Sequence, residues 1–87
     1  MEQLEKKIIA DLIEVINRAN SYAEQSSVKD NAFCLGQMDA YFSVLEQLGH
    51  EVNYLYSRKL QYGLHGTHRF EYVEKVKIDD KVIFVKG

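Results

Sequence analysis

The sequence predicts an α+β fold in which two antiparallel helices pack on a small antiparallel sheet of two or three strands. Apolar residues recur at helical spacing across residues 2–24 and again across residues 28–48. After Gly49 the composition changes to β-branched and aromatic residues, which predict a C-terminal hairpin formed by residues 70–78 and 81–86. The 87 residues contain no linker or repeat, so residues 1–87 are expected to form one domain.

The first helix is predicted to have an unusually wide apolar face. It covers roughly half of the helix circumference at 100° per residue. Its members are Leu4, Ile8, Ile9, Leu12, Ile13, Val15, Ile16, Ala19, Tyr22 and Ala23. Residues 25–27 form a short predicted turn, which places the two helices antiparallel to each other.

The second helix is more apolar still, and very little of its surface suits water. Ser27 is its predicted N-cap, with Asp30 completing a capping box, and Gly49 is its predicted C′ residue. Between them, apolar side chains cover well over half of the helical wheel, whereas a surface helix needs a stripe of only about 100°. Two or three strands cannot cover both helices, so we expect a homodimer formed through helix 1 or helix 2.

The predicted hairpin turns at Asp79 and Asp80, with Ile78 paired with Lys81. Strict alternation from that pair predicts two faces, one with Val76, Ile78, Ile83 and Val85, and the other with Val73, Val82 and Phe84. A third strand is expected from residues 51–56. Residues 52–60 also fit a helix that ends at Gly63, and the sequence leaves both possibilities open.

Composition excludes several classes of protein. The net charge is −2 and the pI is about 5.9, which is far from the basic balance of most nucleic-acid-binding proteins. Residues 1–49 hold four basic and eight acidic side chains, whereas residues 50–87 hold seven basic and five acidic ones. The single cysteine predicts a reducing, cytoplasmic setting, and the absence of a long apolar run argues against a membrane protein.

Metal binding is a weak possibility in this sequence. His65 and His68 form an H-x-x-H spacing, with His50 and Cys34 as distant candidate ligands. A zinc site needs three or four ligands, and only two of these residues lie close together in the chain. We interpret His65 and His68 as solvated loop residues, and we expect no cofactor.

Catalysis is equally poorly supported. A nucleophile could be built from Cys34 or Ser57 with a histidine, but a cysteine on an apolar helix face is usually an inert buried thiol. Gly63 and Gly66 lack the flanking strand and helix of a phosphate-binding loop. The sequence therefore predicts a protein that is not an enzyme.

The predicted binding surface is a tyrosine-rich and basic segment within residues 54–69. Its members are Tyr54, Tyr56, Arg58, Lys59, Tyr62, His65, His68 and Arg69. Tyrosine and arginine commonly anchor protein interfaces, and the same side chains can stack on bases and neutralise phosphates. A third interpretation is that the alternate tyrosines fill the core or shield a sheet edge.

Two segments carry a resemblance to a known group of proteins. Residues 36–52, GQMDAYFSVLEQLGHEV, resemble a helix of small accessory proteins from phages and mobile elements of Gram-positive bacteria, and residues 77–83, KIDDKVI, resemble their closing hairpin. That group includes anti-CRISPR proteins, which inhibit host defence by binding RNA-guided nucleases. The resemblance implies a non-catalytic inhibitor that binds a host protein, with no catalytic residues to transfer. A small nucleic-acid-binding regulator is the alternative.

Overall fold

The chain folds as two helices packed on a three-stranded antiparallel sheet, as predicted. A computed structural model describes residues 3–64 and 66–87. Helix α1 spans Gln3–Glu24 and helix α2 spans Val28–Gln47, followed by strands β1 (Val52–Gly63), β2 (Gly66–Ile78) and β3 (Lys81–Val85). The strands lie in the order β1-β2-β3, so β1 and β3 are edge strands. In the described ranges, neither helix has an apolar stretch long enough to cross a membrane.

Residues 52–60, for which helix and strand were both open, form part of a strand. β1 pairs with β2 along its whole length, from Val52 opposite Ile78 to Gly63 opposite Gly66. The strand is longer than the predicted segment 51–56 because β2 begins at Gly66 rather than at residue 70. The local pattern of residues 52–60 fits a helix or a strand, and pairing with β2 makes this segment a strand.

The two helices end in the same type of cap and run antiparallel. At the end of α2, Gly49 has a φ of 94° and the His50 amide donates to the Leu45 carbonyl, which together form a Schellman motif. The predicted N-cap contact at Ser27 is different. Its hydroxyl donates to the Asp30 carboxylate at 2.7 Å and makes no hydrogen bond to the backbone of the helix.

The core lies between the helices and one face of β2. It consists of Leu12, Val15, Ile16 and Ala19 from α1, Cys34, Met38, Phe42 and Leu45 from α2, and Val73, Val76 and Ile78 from β2. The helical members are spaced three or four residues apart, which places them on one side of each helix. A smaller cluster near the turn between the helices contains Ala23, Phe70 and Tyr72, with Val28 against it.

The predicted faces of the hairpin are partly wrong, because two irregularities interrupt the alternation. Ile78 pairs with Lys81 as predicted, but Phe84 then lies opposite Val76 and packs against the core. Val85, predicted to be on that face, lies opposite Lys75 and is largely exposed. An extra residue in one strand reverses the direction of every side chain beyond it.

A second irregularity, between Leu55 and Tyr56 of β1, explains the position of Val73. Leu55 pairs with Lys75 and Tyr56 pairs with Val73, so Glu74 is the extra residue in β2. Val73 therefore belongs to the same core as Val76, whereas strict alternation predicted opposite faces.

Two asparagine side chains complete the backbone hydrogen bonding of β2 where β3 has ended. Asn20 of α1 accepts from the Val73 amide at 2.8 Å and donates to the Val73 carbonyl at 3.1 Å. Asn31 of α2 makes the same pair of bonds with Glu71 and also donates to the Ala19 carbonyl at 2.8 Å. Buried backbone groups need such partners, so these amides fix the helices beside the sheet.

The two residues of the turn between β2 and β3 have a backbone conformation that glycine would adopt more easily. Asp79 and Asp80 have φ values of 51° and 66°, the left-handed region that a two-residue type I′ hairpin requires. We expect Asp80→Gly to raise the free energy of unfolding by about 0.5–1 kcal/mol, because glycine adopts this conformation without a Cβ clash. Urea unfolding followed by circular dichroism measures this change, and a loss of stability would contradict the assignment.

Candidate functional site

The predicted binding residues lie on the long β1–β2 hairpin, but they do not form one surface. Along β1, side chains alternate between the face that carries the helices and the opposite face. Tyr54, Tyr56, Arg58 and Tyr62 therefore share the helix side, and the cross-strand partner of Leu60, Arg69, joins them. Lys59 lies on the other face with its partner Phe70, which packs near the turn between the helices, and His68, which pairs with Gln61, shares that face. His65 lies outside the described residues.

The first two tyrosines are half-covered by α2. Tyr54 stacks on Phe42 with 5.0 Å between ring centroids and an interplanar angle of 10°, and the Tyr56 ring lies 4.9 Å from that of Tyr54. Burial, followed by the nearby Asp39 carboxylate, raises the pKa of Tyr56 above that of an ordinary tyrosine. These tyrosines shield the sheet, in line with the third interpretation of the sequence, while part of each ring remains exposed.

Beyond Phe70 the hairpin leaves the rest of the molecule. We call residues 60–69, which include the turn, the hairpin arm. Phe70 is the buried residue of β2 that lies nearest the β1–β2 turn, and every described residue of the arm is exposed. From Lys59, which is opposite Phe70, to Gly63 the strand advances about 13 Å at a rise of about 3.3 Å per residue. The molecule is correspondingly elongated, measuring 49 × 19 × 19 Å.

The arm combines large apolar side chains with positive charge. Tyr62 is 77% exposed, Leu60 is half exposed and Leu64 is fully exposed. Residues 52–70 contain no acidic side chain, whereas Arg58, Lys59 and Arg69 are basic. Arg58 lies 3.7 Å from the Glu71 carboxylate, and the Lys59 ammonium lies 5.8 Å from the centre of the Phe70 ring. The arm therefore exposes large apolar side chains, with Arg69 on the arm and two further basic residues at its base.

A histidine between two carboxylates joins three parts of the chain, and sequence analysis did not predict it. His50 Nδ1 lies 2.6 Å from Asp79, and its Nε2 contacts Glu5. Asp79 also accepts from the Glu51 amide at 2.8 Å. The two carboxylates raise the pKa of His50, and the hydrogen bonds from Glu51 and His50 lower the pKa of Asp79. The cluster connects the start of α1, the segment after α2 and the β2–β3 turn.

Stability is expected to depend on pH through this cluster. Because the pKa of His50 is raised in the folded state, its stabilising effect is complete below the unfolded value of about 6.5 and is lost as the pH rises through the folded pKa. Asp79 acts oppositely, since its lowered pKa stabilises the fold above about pH 4 and this effect disappears on acidification. Urea unfolding between pH 6 and pH 9 should show a decline in wild type that His50→Gln abolishes. An equal decline in the variant would contradict this assignment.

The other candidate chemical groups are not brought together. Cys34 is buried in the core, and the Ser57 hydroxyl donates to Glu74 at 2.8 Å. Both ring nitrogens of His50, a predicted distant zinc ligand, face carboxylates. Across residues 3–64 and 66–87, no group of three or more His, Cys, Asp or Glu side chains has the geometry to hold a metal ion.

Comparison of the chain with protein-family models, curated proteins and solved structures gives no significant match. The geometry of the hairpin and the resemblance of residues 36–52 and 77–83 are therefore the observations that bear on function.

Proposed function

We propose that this protein is a non-catalytic binding protein that inserts its hairpin arm into a surface of a larger protein. The observation that carries the proposal is the exposure of Tyr62 and Leu64 on an arm whose described residues contribute nothing to the core. Large apolar side chains grouped on a projecting element are typical of interaction sites. A partner's groove would remove them from water and would order a hairpin that is marginal in isolation.

The chemistry of the arm favours a partner with an acidic surface around an apolar groove. Tyr62 and Leu64 would supply apolar area, while Arg58, Lys59 and Arg69 would meet carboxylates at the rim. Tyrosine and arginine are the side chains most often found as anchors of protein interfaces. Opposite charges at the rim would accelerate association and make it sensitive to salt.

The biological role that we propose is inhibition of a host defence enzyme, such as an RNA-guided nuclease, by occupation of its surface. Its support is the resemblance of residues 36–52 and 77–83 to accessory proteins of Gram-positive phages and mobile elements. A cytoplasmic location belongs to the same proposal, because Cys34 is free and buried, which suits a reducing compartment.

A homodimer is also part of the proposal. Sequence analysis placed its interface on helix 1 or helix 2. Phe33, Val44 and Leu48 of α2 are large apolar side chains that remain exposed, as does Leu4 of α1. Exposed apolar surface on both helices and on β1 supports self-association.

Affinity capture from a lysate of a Gram-positive host tests the arm directly. Three baits should be compared: wild type, an arm variant with Tyr62→Ser and Leu64→Ser, and a control variant with Phe33→Ser. Phe33 is 66% exposed on α2, so the control removes a similar exposed apolar group from a helix rather than from the hairpin. We expect wild type and control to retain one host protein at near-unit stoichiometry and the arm variant to lose it. Equal retention by the arm variant would refute the proposal.

The absence of acidic side chains from residues 52–70 also favours a second function, nucleic-acid binding. Three phosphate contacts, from Arg58, Lys59 and Arg69, would give a slope of about −2.7 in a plot of log affinity against log salt concentration for duplex DNA. Titrations with duplex and single-stranded oligonucleotides at several salt concentrations measure this slope. Saturable binding with that dependence, lost in a variant with all three residues changed to Gln, would favour this second function over protein binding.

A further inference from the structure

We propose that two copies of this chain join edge to edge through β1, antiparallel and about a two-fold axis at Leu55, to form a continuous six-stranded sheet. The inference rests on the proposed homodimer and names its interface, which it places on the strand edge rather than on the helices. β1 pairs with β2 on one side only, so its other edge is available along the strand.

The hydrogen-bonding direction of β1 follows from the asparagine contacts. Glu71 and Val73 use their amides and carbonyls to bond Asn31 and Asn20, on the side of β2 away from β1. Residues opposite each other in an antiparallel pair exchange both hydrogen bonds or neither. Their partners in β1, Arg58 and Tyr56, therefore also direct their backbone groups away from β2, toward the free edge.

Alternation extends this result along the strand. The backbone groups that point to the free edge belong to Val52, Tyr54, Tyr56, Arg58, Leu60 and Tyr62. Odd-numbered residues point their backbone groups the opposite way, toward β2. The Glu51 amide donates to the Asp79 carboxylate, and the Glu51 carbonyl accepts from the Asp79 amide. An unpaired row of this length is a template for another strand.

The β1 strand of a second copy can supply hydrogen-bonding partners for the backbone groups on this edge. Antiparallel pairing of two identical strands is two-fold symmetric, so the interface is isologous and closes at two subunits. The even-numbered residues must pair with one another for their backbone groups to meet. A two-fold axis through any residue of β1, odd or even, meets this condition, so the side-chain match selects the register. An axis at Tyr54 or Tyr56 would set Glu51 against Ser57 or Gln61, neither of which is charged.

Leu55 is the axis residue that gives the best side-chain match. Tyr54 then lies opposite Tyr56 of the second copy, and Glu51 lies opposite Lys59. Leu55, which is 61% exposed, meets its own copy on the face away from the helices. Aromatic pairs and opposite charges directly across an antiparallel ladder are stabilising. An axis at Ser57 would instead set Leu55 against Lys59, and an axis at Lys59 would set two lysines against each other.

Helix α2 presents small residues beside this edge. Asp39 lies close enough to Tyr56 to influence its titration, so this flank of α2 faces the β1 side of the molecule. Gly36 and Ser43 are three residues before and four residues after Asp39, and they share its face. A Cβ added at Gly36 would meet nothing within 4 Å. This flank of α2 is therefore open to solvent beside the edge of β1.

The proposed dimer leaves both hairpin arms free. Pairing about Leu55 occupies residues 51–59, including Arg58 and Lys59. In the dimer a partner therefore meets the arm itself, with Arg69 as its basic side chain. A two-fold axis directs the two arms to opposite ends of the joined sheet, so each can bind a partner separately. Dimerisation and partner binding can thus be disrupted by different substitutions.

Cysteine cross-linking tests the interface and its register in the full chain. Around an axis at Leu55, the two Leu55 Cα atoms would be about 4.5 Å apart, within the range for a disulfide. Two Ser57 residues would be about 13 Å apart, since each lies four residues along the strand from the other's partner. Leu55→Cys should form a disulfide-linked dimer under mild oxidation, and the matched variant Ser57→Cys should not. Cross-linking at position 57 but not 55 would overturn the proposed register.

Mass in solution separates failure of this inference from failure of the wider proposal. Wild type is expected at twice the 10.1 kDa of one chain. Leu55→Lys should weaken association by about tenfold or more, because like charges would then meet on the axis, and Phe33→Lys should leave association unchanged. A dimer disrupted by Phe33→Lys and not by Leu55→Lys would overturn the strand-edge interface alone. A monomeric wild type would overturn both the interface and the homodimer, and it leaves the capture experiment on the arm as a separate test.

Discussion

Replacement of Phe70 by alanine is expected to lower the free energy of unfolding by about 3–4 kcal/mol. Phe70 is 1% exposed and packs with Ala23, Tyr72 and Val28 at the point where the hairpin leaves the helices. The substitution removes a whole aromatic ring from this small cluster and leaves a cavity against the turn between α1 and α2. Urea unfolding followed by circular dichroism measures the loss.

A second readout distinguishes loss of this anchor from a general loss of packing. Amide hydrogen exchange should increase first at residues 58–61 and 68–71, because Phe70 fixes the base of the arm. Lys59→Ala is the matched control, since it removes the side chain whose ammonium lies 5.8 Å from the centre of the Phe70 ring but leaves the ring in place, and it should change stability by less than about 1 kcal/mol. A loss below 1 kcal/mol for Phe70→Ala would show that Phe70 does not anchor the hairpin.

Replacement of Asn31 by leucine is expected to cost about 3 kcal/mol, although leucine has a similar size and is apolar. Asn31 is 2% exposed, and its amide bonds both the amide and the carbonyl of Glu71. Leucine would leave these backbone groups buried and without partners, and it would also remove the bond to the Ala19 carbonyl. Unsatisfied buried polar groups cost more than the apolar surface gained.

The control for this substitution is Asn17→Leu. Asn17 is exposed on α1, so its replacement should change the free energy of unfolding by less than about 0.5 kcal/mol. If Asn31→Leu were neutral or stabilising, the asparagine contacts would not be what holds the helices to the edge of β2.

The parts of the fold that sequence analysis predicted are those set by local pattern. Both helices are long, α1 is strongly amphipathic and α2 is apolar over most of its surface, and Gly49 marks the end of α2 by its conformation. The alternation in the hairpin was predicted less well, because the extra residue Glu74 and the irregularity near Ile83 have no distinct signal in the sequence. One such residue is enough to exchange Val85 for Phe84 on the core face.

The features that were missed depend on contacts between distant parts of the chain. Asn20 carries no distinct signal in the sequence, yet it bonds Val73, 53 positions away. His50 meets Glu5 across 45 positions and Asp79 across 29. The binding patch was predicted as one set, but strand alternation places Lys59 and His68 on the face opposite the tyrosines. Only the paired structure reveals which of these side chains lie together.

Photo-cross-linking from two positions tests most directly whether the arm is the binding surface. A photoreactive benzoylphenylalanine would replace Tyr62 in one protein and Phe33 in another, since both side chains are mainly exposed but lie on different elements. With the host protein recovered by affinity capture, the probe at position 62 is expected to form a covalent adduct and the probe at position 33 to form none. An adduct from position 33 alone would place the partner on α2 and contradict the assignment of the hairpin arm.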